Sequence, residues 1–285
     1  MPIVDYKKIL QIDSLLENLE SEISISMSFM KRTYGISYEE LDDRMLGINL
    51  STIKRYFQPS YHSVRPLHFL AALSWILMVP ATAFYKGMKS KETFRGMDTE
   101  SIEALVYVGK LPFEQFETVL DLVTNTMDSA SRVKFKKFRE DNWVEGIEDN
   151  FDGLLPPETL DMDLFAMDYY RSIAITMQEF RIRNDLSIEK MALVLGMSEY
   201  SYQSLEDPNK TVNFPISLGI RTKLGFSQSS HVEFTREMKV YPEFHQLRRI
   251  QHRRDVLIVE AMRLLPDIRK SWFSNVLKEI TSLYR

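Results

Sequence analysis

Two adjacent cations, Lys54 and Arg55, stand in the stretch MLGINLSTIKRYF, Met45 to Phe57. A guanidinium or ammonium on the outer face of a short helix can donate to paired acceptors, such as those on the major-groove edge of guanine. The surrounding residues have the spacing for such a helix. Gly47 separates two short apolar-patterned segments, and Asn49 can cap the second. Ile53 and Tyr56 or Phe57 supply an inward face, while Leu50, Ser51, Lys54 and Arg55 fall on or near the outer one. Apart from such a setting, the two cations are ordinary solvated side chains.

Other chemistries have no residues to carry them. The five histidines (His62, His68, His231, His245, His252) show no H-E-x-x-H spacing. Neither a glycine-rich phosphate loop nor a G-x-S-x-G nucleophile turn occurs. EDNFDG, Glu148 to Gly153, is like the start of a calcium loop, but Pro156 and Pro157 interrupt it and Thr159 stands where a bidentate Glu is required. DMDLFAMD gathers carboxylates in the manner of an acidic helix start. The absence of cysteine excludes disulfides, thiolate metal sites and a cysteine nucleophile. The reading is a non-enzyme with no metal and no cofactor.

The bulk properties suit a globular chain. It has 285 residues, 44% of them hydrophobic, with a formal charge of −4 and pI near 5.8. There is no global polycation, so any attraction to nucleic acid has to come from a local basic face. The longest apolar run, FLAALSWILMVPA, is too short to span a bilayer and is broken by Pro80. MPIVDYKKIL lacks the layout of a signal peptide. A cytoplasmic protein of bacterial or phage-like type, with no membrane association, is expected.

The elements that must position these residues are helical. One N-terminal helix is expected over 12–33, with Leu15, Leu16, Leu19, Ile23, Met27 and Met30 at helical spacing, ended by Gly35. Ser37 and Glu40 are set for a capping box on the next helix. A third helix follows Asn49, a fourth opens at Pro66, and residues 86–91 read as a basic loop. DTESIEALVYVG and PFEQFETVLDLVTNTM form two more helices. SRVKFKKFR then groups Arg132, Lys134, Lys136, Lys137 and Arg139, available to grip phosphate or to pair with the neighbouring acidic stretch. In that stretch, between Glu140 and Asp168, there are ten acidic residues and no Lys, Arg or His, which reads as a linker. Near the C-terminus two helices join at about Pro266. The first carries Arg248, Arg249, Arg253 and Arg254; the second carries an apolar stripe of Ile268, Trp272, Val276, Ile280 and Leu283, of the kind that faces a core or a partner.

The chain also repeats itself. Gly47 to Pro59 and Gly196 to Pro208 have equal spacing, as do Pro59 to Pro66 and Pro208 to Pro215. Ser37 and Ser187 open the second helix of each copy, the first copy carrying one extra residue before its glycine. SYEELDDRMLGINLSTIKRYF and SIEKMALVLGMSEYSYQSLE both resemble the lambda-repressor/Cro-like (XRE-type) helix-turn-helix family. The resemblance covers about half the chain, roughly Ser21 to Tyr85 and Tyr169 to Phe234. Ala192 supplies the small residue usual where the two central helices cross, and Asp42 stands there in the first copy.

The resemblance implies an all-α protein with two lambda-repressor-like helix-turn-helix domains, a central helical and acidic connector and C-terminal helices. The domains are 12–90, a first helix-turn-helix; 91–139, central helices; 140–167, an acidic linker; 168–238, a second helix-turn-helix; and 239–285, a C-terminal segment for dimerisation. The function implied is a sequence-specific transcriptional regulator that binds double-stranded DNA as a homodimer. Its DNA contacts would come from Tyr38, Asn49, Leu50, Ser51, Thr52, Lys54, Arg55, Gln58, Tyr61, His62 and Arg65 in the first copy, with Tyr38, Tyr61, His62 and Arg65 as phosphate contacts at the rim, and from Ser198, Glu199, Tyr200, Gln203 and Lys210 in the second. The competing reading keeps the helix-turn-helix as a scaffold and gives the C-terminal helices a protein partner.

Overall fold

Short polar caps and apolar spacing of three and four residues fold this chain into helices. The computed structural model describes residues 4–87, 97–226 and 234–282. Residues 88–91 of the basic stretch, His231 and Leu283 lie outside them. In chain order the helices begin with α1 (Tyr6–Leu15), α2 (Leu19–Tyr34), α3 (Tyr38–Arg44), α4 (Leu50–Tyr56) and α5 (Leu67–Ile76). Then come α6 (Thr99–Val108), α7 (Phe113–Thr126), α8 (Ser129–Asn142), α9 (Met162–Arg183) and α10 (Ile188–Leu195). The last are α11 (Glu199–Leu205), α12 (Ser217–Gly225), α13 (Pro242–Arg263) and α14 (Asp267–Ser282). Two two-residue strands, β1 (Met45–Leu46) and β2 (Leu160–Asp161), pair in parallel. The protein is all-α in class.

The helix starts follow local chemistry. Ser37 and Glu40 form the expected capping box on α3. Asn49, Ser187 and Ser198 accept backbone N–H bonds at the openings of α4, α10 and α11. The helix expected over 12–33 is two helices, because the chain turns at Leu16, whose N–H bonds back to Ile12 and Asp13. Apolar spacing runs on across that turn, so periodicity did not mark it.

The chain divides into two compact units. The first comprises Met1–Ser21, Ser37–Leu73 and Pro157–His245. Its interior is aromatic around α9, where Phe165 stacks on Tyr169 at 5.8 Å and meets Phe244 edge-on at 5.5 Å. Phe180 packs on Phe226 at 5.0 Å. Asp168 is buried and accepts the backbone N–H groups of Lys239, Val240 and Tyr241, fixing the entry to α13.

The second unit comprises Glu22–Ile36, Ser74–Pro156 and Gln246–Arg285. Trp75, Phe84, Phe116, Phe135 and Phe273 are fully buried in it. Here the acidic segment departs from the linker expected of it. Arg254 is buried and donates to the carbonyls of Leu111, Ile147 and Asp149 at 2.8–3.1 Å, while Trp75 Nε1 donates to Leu154 O at 3.0 Å. Ile147 and Leu154 are buried, so residues 147–154 are pinned down as part of the fold. On α14 the buried residues are Phe273, Ser274, Leu277 and Thr281, one step round the helix from the apolar stripe. Ile268 is 84% exposed and Trp272 48%, while Val276 and Ile280 are half-buried, so the first part of the stripe faces outward.

Candidate nucleic-acid interface

The outer face of α4 is built by its cap and its buried residues. Asn49 Oδ1 accepts from Thr52 N–H at 2.9 Å and from the Ser51 hydroxyl at 2.7 Å. Ile53 and Phe57 are buried, and Tyr38 meets Phe57 edge-on at 5.4 Å, locking α3 against α4. Ser51 and Arg55 are thereby exposed, with Leu50, Thr52 and Lys54 half-buried. Lys54 Nζ pairs with Glu39 Oε1 at 3.1 Å and sits 5.8 Å from the Tyr38 ring. The Arg55 guanidinium lies 5.6 Å from the Tyr61 ring and donates to Thr52 Oγ1 at 3.4 Å. Gln58 and His62 are exposed, and Tyr61 is half-buried.

Arg65 requires a correction. Its side chain is 0% exposed, so it is not at a rim facing solvent. Nε donates to Tyr56 O at 2.6 Å, Nη1 to Tyr61 O and the Glu20 carboxylate, and Nη2 to Gln58 O. The guanidinium fork thus gathers the carbonyls that leave α4 and holds the following loop in place. It presents no donor to a phosphate; its contribution is to position Gln58 and Tyr61.

The corresponding face of the second repeat lies on α11. Tyr202 and Leu205 are buried, which leaves Glu199, Tyr200 and Gln203 exposed and Ser198 at the helix opening. Lys210 is exposed and pairs with Asp207 at 3.5 Å. Beneath α11, Arg181 grips Glu206 bidentately at 2.7 and 2.8 Å, and the Tyr202 hydroxyl donates to the same carboxylate. That triad ties α9 to α11 across 25 residues, and motif reading missed it because no local signal marks it.

The turns of the repeats differ at the extra residue. In the second, α10 ends on Gly196 in the left-handed region, at φ 65°. In the first, α3 stops at Arg44, and Met45–Leu46 run extended as β1 before Gly47 at φ 91°. The added residue is accommodated as strand. One step earlier the repeats agree, since Gly35 and Asp185 both have positive φ at the close of the preceding helix.

The first unit brings the repeats together at equivalent points. Pro66 and Pro215 form an antiparallel bridge, and Leu67 N–H donates to Phe214 O at 2.8 Å. Tyr170 braces this seam, because its hydroxyl accepts from Phe214 N–H at 3.3 Å and lies 3.0 Å from His68 Nδ1. Burial lowers the pKa of His68 to about 4 and raises that of the Tyr170 hydroxyl, so His68 is neutral at pH 7.

Further out, β2, which precedes α9, pairs with β1 in the first repeat, and Arg44 donates to Pro157 O at 3.2 Å. Conversely α1, which precedes α2, packs on α12 of the second repeat, with Asp5 N–H to Gly225 O at 2.9 Å and an ion pair between Asp13 and Arg221.

The remaining basic clusters are largely committed. Arg132 donates to the last carbonyls of α7, and Arg139 pairs with Glu117 and Asp121 while lying 4.7 Å from the Trp143 ring. The carboxylates that pair with Arg139 are on α7 and not in the acidic segment. Lys134, Lys136 and Lys137 lie on the same helix, α8. On α13, Arg254 is buried and Arg248 donates to Val79 O and Gln251, so the four arginines do not form one basic face. Among the described residues no group of three or more His, Asp or Glu is placed to hold a metal ion, and no helix is long and apolar enough to cross a membrane.

No protein-family model matches the chain, and no curated protein or solved structure matches it. The functional reading therefore rests on the residue pattern and on the outer faces of α4 and α11.

Proposed function

We propose that this chain is a sequence-specific regulator of transcription that reads the major groove of double-stranded DNA with two helix-turn-helix elements. The observation that supports it is the outward polar row on α4 and α11. These are two short capped helices at equivalent repeat positions, each buried along its other side. In this reading α3 and α10 cross the phosphate backbone while α4 and α11 enter the groove.

Arg55, already oriented by Tyr61, and Lys54 would take guanine acceptors. Lys54 must exchange Glu39 for the DNA, and an exposed pair of this kind is worth only about 0–1 kcal/mol. Gln203 suits the adenine edge, and Glu199 can accept from the cytosine amino group. Cations engaged with phosphate release counterions, so binding should weaken steeply with salt despite the net charge of −4.

Anisotropy titration against duplexes selected from a random pool tests this, repeated with Lys54→Ala/Arg55→Ala and with a series of salt concentrations. Saturable binding that weakens with salt and with the double substitution is expected. Absent or salt-insensitive binding by a folded chain would sink the reading. It would favour the alternative, in which the repeats are a scaffold and the exposed Ile268 and Trp272 on α14 serve a protein partner.

A further inference from the structure

Resting on the DNA-binding reading, we infer that a single chain holds both half-site readers and binds one duplex with two unlike half-sites. Paired helix-turn-helix readers work through a twofold relation that matches the dyad of the duplex, with half-sites about one helical turn apart. In a homodimer that relation joins two chains. It has a recognisable signature: on the axis a residue meets its own equivalent, and away from the axis each copy gives the other what it receives.

The first unit carries that signature within one chain. Pro66 and Pro215, equivalent in the repeat, face each other in an antiparallel bridge. Away from the bridge each leader segment crosses to the other copy, through unlike elements. The segment leading into the second repeat supplies β2 to the turn of the first, where a Cβ on Gly47 would lie 3.5 Å from Asp163 Oδ2. The segment leading into the first repeat supplies α1 to α12 of the second, and Asp13 holds Arg221, whose guanidinium lies against Gly196 in the turn of that repeat. Each turn is thus braced through the leader of the other copy. A second chain is not needed to create the twofold.

The two readers differ chemically, and the duplex must reflect that. Lys54 and Arg55 favour guanine, whereas Gln203 favours adenine and Glu199 favours cytosine. The bound site is therefore bipartite and non-palindromic.

Selection from a random duplex pool with the full chain, followed by light scattering of the complex, tests this. One chain per duplex is expected, on a motif of two unlike half-sites about 10 base pairs apart centre to centre. Arg55→Ala should lose discrimination in one half-site and Gln203→Ala in the other, each by about 5- to 150-fold. Two chains per duplex on a palindrome would overturn the inference while leaving DNA binding intact. So would a motif that responds to Arg55→Ala alone. Failure to bind any duplex would overturn the DNA-binding reading, and this inference with it.

Discussion

Two arginines of the first repeat, ten residues apart, have opposite fates, and a pair of substitutions separates them. Arg65 is buried, with donors committed to Glu20 and to three carbonyls at and beyond the end of α4. Arg65→Ala strands that carboxylate and those carbonyls, and should cost about 3–5 kcal/mol in a urea unfolding measurement. Arg55 is exposed, and its contacts with Tyr61 and Thr52 are both on the surface. Arg55→Ala should change stability by no more than about 0.5 kcal/mol, so any effect on duplex affinity would be its own. Equal losses from the two substitutions would contradict the difference in burial.

At the scale of elements, turns and helix faces are exposed to test. Gly196 closes α10 at φ 65°, and a Cβ there would lie 2.6 Å from the Arg221 guanidinium carbon. Gly196→Ala should destabilise by about 1–2 kcal/mol through the left-handed backbone and the displaced side chain. A neutral result would mean that the turn relaxes without its glycine. On α14, adjacent residues lie on different faces: Phe273 is fully buried and Trp272 is about half exposed. Phe273→Ala should cost about 3–5 kcal/mol and Trp272→Ala less than about 1 kcal/mol, measured by thermal unfolding. The reverse order would place the apolar stripe inward.

For the whole molecule, the seam between the repeats makes stability depend on pH. The Tyr170 hydroxyl accepts from Phe214 N–H, which leaves its proton for His68 Nδ1, and a protonated imidazole cannot accept it. The folded-state pKa of His68 is lowered to about 4, from 6.5 when unfolded. The unfolded chain therefore binds the proton first. The stabilising effect is fully present above pH 6.5 and is lost as the pH falls towards about 4. Between pH 7 and pH 5 the loss should be about 2 kcal/mol, read as a lower urea midpoint. His68→Gln should flatten that dependence, and an unchanged slope in the variant would assign the effect to other groups.

What the sequence determined by itself was local. The caps at Ser37, Asn49, Ser187 and Ser198 were legible because a side-chain oxygen reaches an N–H two or three residues away. The inward face of α4 and the all-α class were legible from helical spacing, and the repeat from equal intervals between glycines and prolines. The fates of Arg65, Arg132, Arg139, Arg248 and Arg254 were not legible, since a charge is committed by partners that the fold brings to it. Nor was the packing side of α14, whose apolar residues occupy both faces and leave periodicity with two solutions. The antiparallel meeting of Pro66 and Pro215 was likewise decided only by tertiary structure. Intervals along a chain show that two segments are alike, but the backbone hydrogen bonds and packing that set one against the other join residues about 150 positions apart.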